Sequence, residues 1–166
     1  MASTYTLSMV NLTVAADATL LYLRAATAVT SRASLLEVLR ISITQQGTSV
    51  SQQLGIILGQ KAAVLGTYLT AGGGINNHAL GGPASGIALG TAGAAATAGV
   101  NASSEGAGTV TTWISEGFNN LSGYLWVPTP EERFLVLPDQ NFIVKLRGTP
   151  TTLTGWNANL TFRELN

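Results

Sequence analysis

From Trp156 to Arg163 the chain alternates without a break. Trp156, Ala158, Leu160 and Phe162 fall on one side, and Asn157, Asn159, Thr161 and Arg163 on the other. A period of two sends one set of side chains to a core and the other to water, which is the pattern of a half-buried strand. The pattern recurs. Within 36–44, Leu39, Ile41 and Ile43 oppose Arg40, Ser42 and Thr44. Within 53–60, Leu54, Ile56 and Leu58 share a face opposite Gly55, Ile57 and Gly59. Phe142, Val144 and Leu146 alternate with Ile143, Lys145 and Arg147. Further strands are expected over 5–14, 20–24, 110–118 and 121–127. Turn signals stand between them, among them Gln46-Gly47-Thr48, Asn119-Asn120, Pro128-Thr129-Pro130 and Gly148-Thr149-Pro150. Eight to nine short strands with this punctuation predict an all-β chain. The expected architecture is a single β-sandwich domain over residues 1–166, jelly-roll-like, with the apolar faces of 142–146 and 156–162 in one core.

A helix competes in two places. Ser34-Leu35-Leu36-Glu37 has the spacing of a capping box, and 52–69 could form a glycine-interrupted helix. Strict alternation and β-branched residues favour strand in both.

Residues 62–108 interrupt the pattern as a long Gly/Ala-rich loop excursion. No charge occurs from Ala62 to Ser104, and 71–108 holds 11 of the 19 glycines. So few large side chains cannot build a core of their own. Two resting places stay open: a neighbouring subunit, which a bare Gly/Ala backbone approaches closely, or the chain's own sandwich. If the former, 62–108 is a subunit contact.

Charge narrows the function classes. Eight basic and eight acidic residues make 10% of the chain, against an average near 25%. A compact chain of this size exposes on the order of 7,700 Å², or one charge per roughly 480 Å². A subunit that covers much of its surface with partners fits this better than a lone diffusing protein. Net charge zero argues against nucleic acid as a partner, since phosphate neutralisation needs a basic surface. With no cysteine there is neither a disulfide framework nor a thiolate metal site. No membrane span is expected, because the longest uncharged stretch is Gly, Ala, Thr, Ser and Asn with Pro83 inside it. No secretory signal is expected either: the first charge is Asp17 and the first basic residue Arg24. The glycosylation tripeptides at Asn11, Asn101, Asn120 and Asn159 are then chance matches.

Candidate chemistry is thin. His78 is the one histidine, and no nucleophile accompanies it in sequence. Gly82-Pro83-Ala84-Ser85-Gly86 has GxxSG rather than GxSxG spacing. Gly72-Gly73-Gly74 and Gly81-Gly82 match no phosphate-binding pattern. Glu131-Glu132, the one adjacent acidic pair, follows two prolines and precedes Arg133, which reads as a solvated turn with local ion pairs. Scattered acids and one histidine make no ligand set. Trp113, Trp126 and Trp156 are either core anchors or a sugar-binding platform, and their place in expected strands favours the core. No catalytic, cofactor-binding or metal-binding residue is therefore expected, no cofactor, and no enzyme.

Three strings carry a resemblance: Glu116-Gly117-Phe118-Asn119-Asn120-Leu121-Ser122-Gly123-Tyr124-Leu125-Trp126-Val127-Pro128-Thr129-Pro130-Glu131-Glu132-Arg133, the C-terminal Trp156-Asn157-Ala158-Asn159-Leu160-Thr161-Phe162-Arg163-Glu164, and Ile41-Ser42-Ile43-Thr44-Gln45-Gln46-Gly47-Thr48-Ser49-Val50-Ser51-Gln52-Gln53-Leu54. Together the chain resembles small all-β head decoration, or cement, proteins of tailed bacteriophages, from about Tyr5 to Leu165. The 62–104 stretch departs most from them in its Gly/Ala content. The resemblance implies a structural virion protein on the outside of a capsid, made in the host cytoplasm. It would bind the major capsid protein and itself, as a homotrimer, and bridge shell subunits. Uncharged 62–104 and the N-terminal residues 2–14 are the expected contacts, by strand addition. The alternative is a carbohydrate-binding or host-attachment module on the virion surface, which two exposed, coplanar tryptophans would favour.

Overall fold

The computed structural model describes residues 3–27, 33–61, 67–69, 72–90 and 96–165. Eight principal strands lie where alternation places them: β1 (Ser3–Leu12), β2 (Thr19–Arg24), β3 (Leu36–Gln45), β4 (Gln53–Lys61), β9 (Val110–Asn119), β10 (Tyr124–Trp126), β12 (Asn141–Arg147) and β13 (Trp156–Glu164). Neither possible helix is one among the described residues: Leu36-Glu37 opens β3, and 53–61 and 67–69 are strand, while 62–66 lie outside the described residues. Shorter strands are β5 (Thr67–Leu69), β6 (Gly73–Asn77), β7 (Ala88–Leu89), β8 (Thr97–Ser104) and β11 (Leu135–Val136).

Two sheets result. One runs β10-β3-β13-β1-β6, with β11 also on β3; the other runs β5-β8-β2-β12-β4-β9, with β7 also on β8. Numbered one to eight in chain order, the principal strands lie 1-8-3-6 in the first sheet and 2-7-4-5 in the second. That is jelly-roll connectivity. Their inward faces form one core. Phe142, Val144 and Leu146 meet Trp156, Ala158, Leu160 and Phe162 there, as alternation predicts, and the Tyr5 and Phe162 rings stack at 5.7 Å. Trp156 is fully buried, with its indole Nε1 donating to the Thr152 carbonyl at 3.0 Å.

Within the excursion, short strands alternate with turns and loops. Its described residues carry β5 to β8 and rest on the chain's own sandwich. Antiparallel β6 extends the first sheet beyond β1, with Leu7 opposite Ile75. Antiparallel β8 extends the second beyond β2, with Tyr22 opposite Gly99. The described part of the segment therefore lies along the chain's own sandwich. β1 is paired on both sides, by β13 and β6, and β8 is paired by β2 and by β5 and β7. Neither keeps a free edge for strand addition. Residues 62–66, 70, 71 and 91–95 lie outside the described residues, as does Ala2. The insertion also builds a small second core on the outward face of its sheet, from Tyr22, Tyr68, Ala102 and Ile143. A side chain at Gly99 has no room here: its Cβ would stand 2.5 Å from Tyr68 Cβ and 2.9 Å from Tyr22 Cε1.

Candidate docking surface

One flank of the sandwich, where β9 and β10 end their sheets, is closed by aromatic rings rather than by backbone. A bulge in β9 sets it up. Leu58 pairs with Ile114 but Gly59 pairs with Thr112, so Trp113 is the extra residue. Such a bulge turns a side chain out of its alternation. The Trp113 ring lies 4.9 Å from Phe134 and 6.0 Å from core Phe142, and Trp126 stacks on Phe134 at 5.0 Å with planes 8° apart. Phe134 thus bridges the two sheet edges. Further along, the Tyr124 hydroxyl donates to Glu116 Oε2 at 2.9 Å. Burial, reinforced by that carboxylate, pushes the phenol pKa up.

Outside these rings runs an apolar strip. Leu125, Val127, Leu135 and Leu137 are 61%, 64%, 51% and 52% exposed. Leu125 pairs with Ser42 and Leu135 with Glu37, so both stand on the outward face of β3's sheet. Charged residues adjoin it on the 130–132 turn and on β3. The 3-10 turn Pro130–Glu132 projects Glu131 and Glu132 into solvent. Their expected local pairing with Arg133 is absent among the described residues. Arg133 instead donates to Glu37 Oε1 at 3.3 Å, and Arg163 lies 3.3 Å from Glu37 Oε2. Arg40, exposed on β3 next to Ile41, has no ion pair or hydrogen bond among the described residues. The four aliphatic residues and Arg40 were not singled out from sequence. The available signal was Tyr124-Leu125-Trp126-Val127, apolar on both faces of a strand at the edge of its sheet.

The other candidates are structural. His78 follows β6, with Nε2 2.6 Å from Thr6 Oγ1, on the flank opposite Trp113. Ser85 Oγ and Gly86 N donate to Glu164 Oε1 at 2.6 and 2.8 Å, so the GxxSG segment is a clasp onto β13. Asn120 is buried and holds the 46–52 turn: its Nδ2 donates to Gln45 Oε1 and the Val50 carbonyl, and its Oδ1 accepts from Gln52 N. Of the tryptophans, Trp156 is core, Trp126 is half-buried under Phe134, and Trp113 is 39% exposed. They form no exposed coplanar pair.

A charged cluster ties the insertion down. Glu105 accepts from Thr19 N at 2.6 Å, from Thr19 Oγ1 at 2.8 Å and from Lys145 Nζ at 3.0 Å, while buried Lys61 donates to the Glu105 carbonyl. Burial pushes the Glu105 carboxyl up, but the hydrogen bonds from Thr19 and Lys145 outweigh it and hold the pKa below the usual range. Burial lowers the Lys61 pKa, against the pull of Glu105. A shallow depression of about 470 Å³ lies between the ends of β4, β9 and β12, with Glu116 and Arg147 as its charged lining. No group of three or more His, Asp or Glu that could hold a metal exists among the described residues. No described helix is long and apolar enough to cross a membrane. The chain matches no protein-family model, no curated protein and no solved structure.

Proposed function

We propose that this chain is a structural virion protein that binds the outside of a phage capsid and stabilises it by bridging shell subunits. The observation that carries the reading is uncovered apolar surface on a charge-poor jelly roll: the β10–β11 strip, and Leu80, fully exposed at the tip of the insertion. Large aliphatic side chains left this exposed are the kind of surface that interfaces cover. Jelly rolls serve viral shells and lectins alike, so the fold by itself leaves both open. The tryptophans weigh against the lectin reading, because a sugar platform needs exposed aromatic faces and two of the three are taken up by their own protein.

In this reading the protein is a homo-oligomer, a trimer where it sits on local three-fold positions, and the major capsid protein is its partner. Each 1,000 Å² of apolar contact contributes up to roughly 25 kcal/mol gross, and far less net, which is still a large addition when repeated over a shell. The test is mass spectrometry of purified particles of the phage that encodes the chain. The protein should be present at a fixed ratio to the major capsid protein and remain bound at about 1 M salt, where screening reaches roughly 3 Å. Absence from the particles, or release by salt alone, overturns the proposal.

A further inference from the structure

We infer that the edge formed by β10 and β11 is the contact between copies of this chain. The inference deepens the oligomer in the reading above and does not need the shell. The edge is open in two senses. β10 and β11 pair with β3 on one side only, which leaves their other backbone groups without a strand. Leu125 on β10 and Leu135 on β11, with Val127 and Leu137 just past the ends of these strands, are each at least half exposed.

Charge identifies the occupant. Glu131 and Glu132 stand on the turn that bridges β10 to β11, outside the strip. Arg40 stands inside it, on β3. Ile41 pairs with Trp126, so Arg40 occupies the position that Val127 would face if β10 ran on. Neither Glu131, Glu132 nor Arg40 has an ion pair among the described residues. A partner of one sign would satisfy only one side of the strip. A second copy presents both signs at the same spacing, so the acidic side of one copy meets the basic side of the next around apolar contacts. Repeated by rotation, that contact closes a ring, the usual form of a homo-oligomer. On the opposite flank the sheets end in the short strands β6, β5 and β7, which offer less edge to pair with.

Four half-exposed aliphatic side chains make a small contact beside the ~800 Å² per partner of a standard interface, so a wide concentration range is needed. The experiment is light scattering on the intact protein after gel filtration, from about 1 to 100 μM. The wild type should reach an integral multiple, three for the trimer, of 17.1 kDa. Leu125→Asp with Val127→Asp should leave a monomer. Arg40→Glu should weaken association at least about tenfold, as should Glu131→Arg with Glu132→Arg, and all three together should restore it. Circular dichroism and a cooperative melt verify each fold. Arg40→Glu alters one exposed side chain, so it decides the matter even if the aspartate pair fails to fold. A wild type that stays monomeric at the top concentration overturns the inference and gives the strip to a different protein. Variants that keep the wild-type mass, or charge reversals that do not compensate, overturn it too. Failure of the virion reading looks different: a ring in solution and no protein on particles.

Discussion

A single methyl group at Gly59 tests the bulge that turns Trp113 to the flank. An alanine Cβ there would stand 2.2 Å from the Thr111 carbonyl oxygen and 3.2 Å from Thr112 Cα. Both are backbone atoms of β9, and neither can rotate away. The strand must move off β4 around the bulge. Losing two ladder hydrogen bonds at about 1 kcal/mol each, with about 1 kcal/mol of strain, gives about 3 kcal/mol. At roughly 2–4 °C per kcal/mol for a chain this long, Tm falls by about 6–12 °C. Gly117→Ala is the control, on the same strand pair: its nearest atom would be the Leu54 carbonyl oxygen at 3.8 Å, so the change stays within about 0.5 kcal/mol. Urea denaturation followed by tryptophan emission and circular dichroism measures both. Emission of the folded Gly59→Ala protein should shift red as Trp113 loses Phe134. Equal stability of the two variants would refute the reasoning.

Glu164→Ala should cost about 2–3 kcal/mol and Ser85→Ala about 1 kcal/mol, because the carboxylate holds two charge-assisted bonds; limited proteolysis should then cut near residues 82–87 first. Stability should fall as pH drops through the depressed Glu105 pKa, having been fully present above the unfolded value of 4.5, and Glu105→Gln should flatten that slope in acid melts. Lys61 has the opposite bearing: its folded pKa lies below the unfolded 10.5, so stability should rise with pH between the two, and Lys61→Met should remove the rise without lowering Tm at neutral pH. Trp156→Ala should cost about 3–5 kcal/mol, while Trp113→Ala, at 39% exposure, should cost less than half as much in the same denaturation assay.

β1, β4 and β13 were legible because each buries one face of a simple alternation; β2 and β12, buried on both faces over most of their length, were legible from their large apolar residues. The pattern in 156–163 and in 142–147 states which side chains meet, and the core contains them. The insertion was not legible for a physical reason. In β8 the residues Thr97, Ala98, Gly99, Val100 and Asn101 are all buried, so no exposed face alternates with a buried one. β6 is Gly-Gly-Ile-Asn-Asn, which reads as a turn until β1 pairs with it. Glu164 gave no sign of its clasp, because its partners are Ser85 and Gly86, far away in the chain. The flank is hidden for the same reason. Trp113, Trp126 and Phe134 come from a bulge, a three-residue strand and a loop, and no spacing in sequence joins them.

The insertion also decides how far an assembly of these sandwiches can grow. A jelly roll with long bare strands at both flanks could add copies edge to edge on either side and extend into a fibre. Here the insertion finishes one flank with strands of five, three and two residues, β6, β5 and β7, too short to template another long strand. Among the described residues, the one long strand that ends a sheet is β9, on the other flank. Growth by sheet extension is thus confined to one side of the molecule, and Gly/Ala-rich sequence with little core-forming power serves as an edge guard.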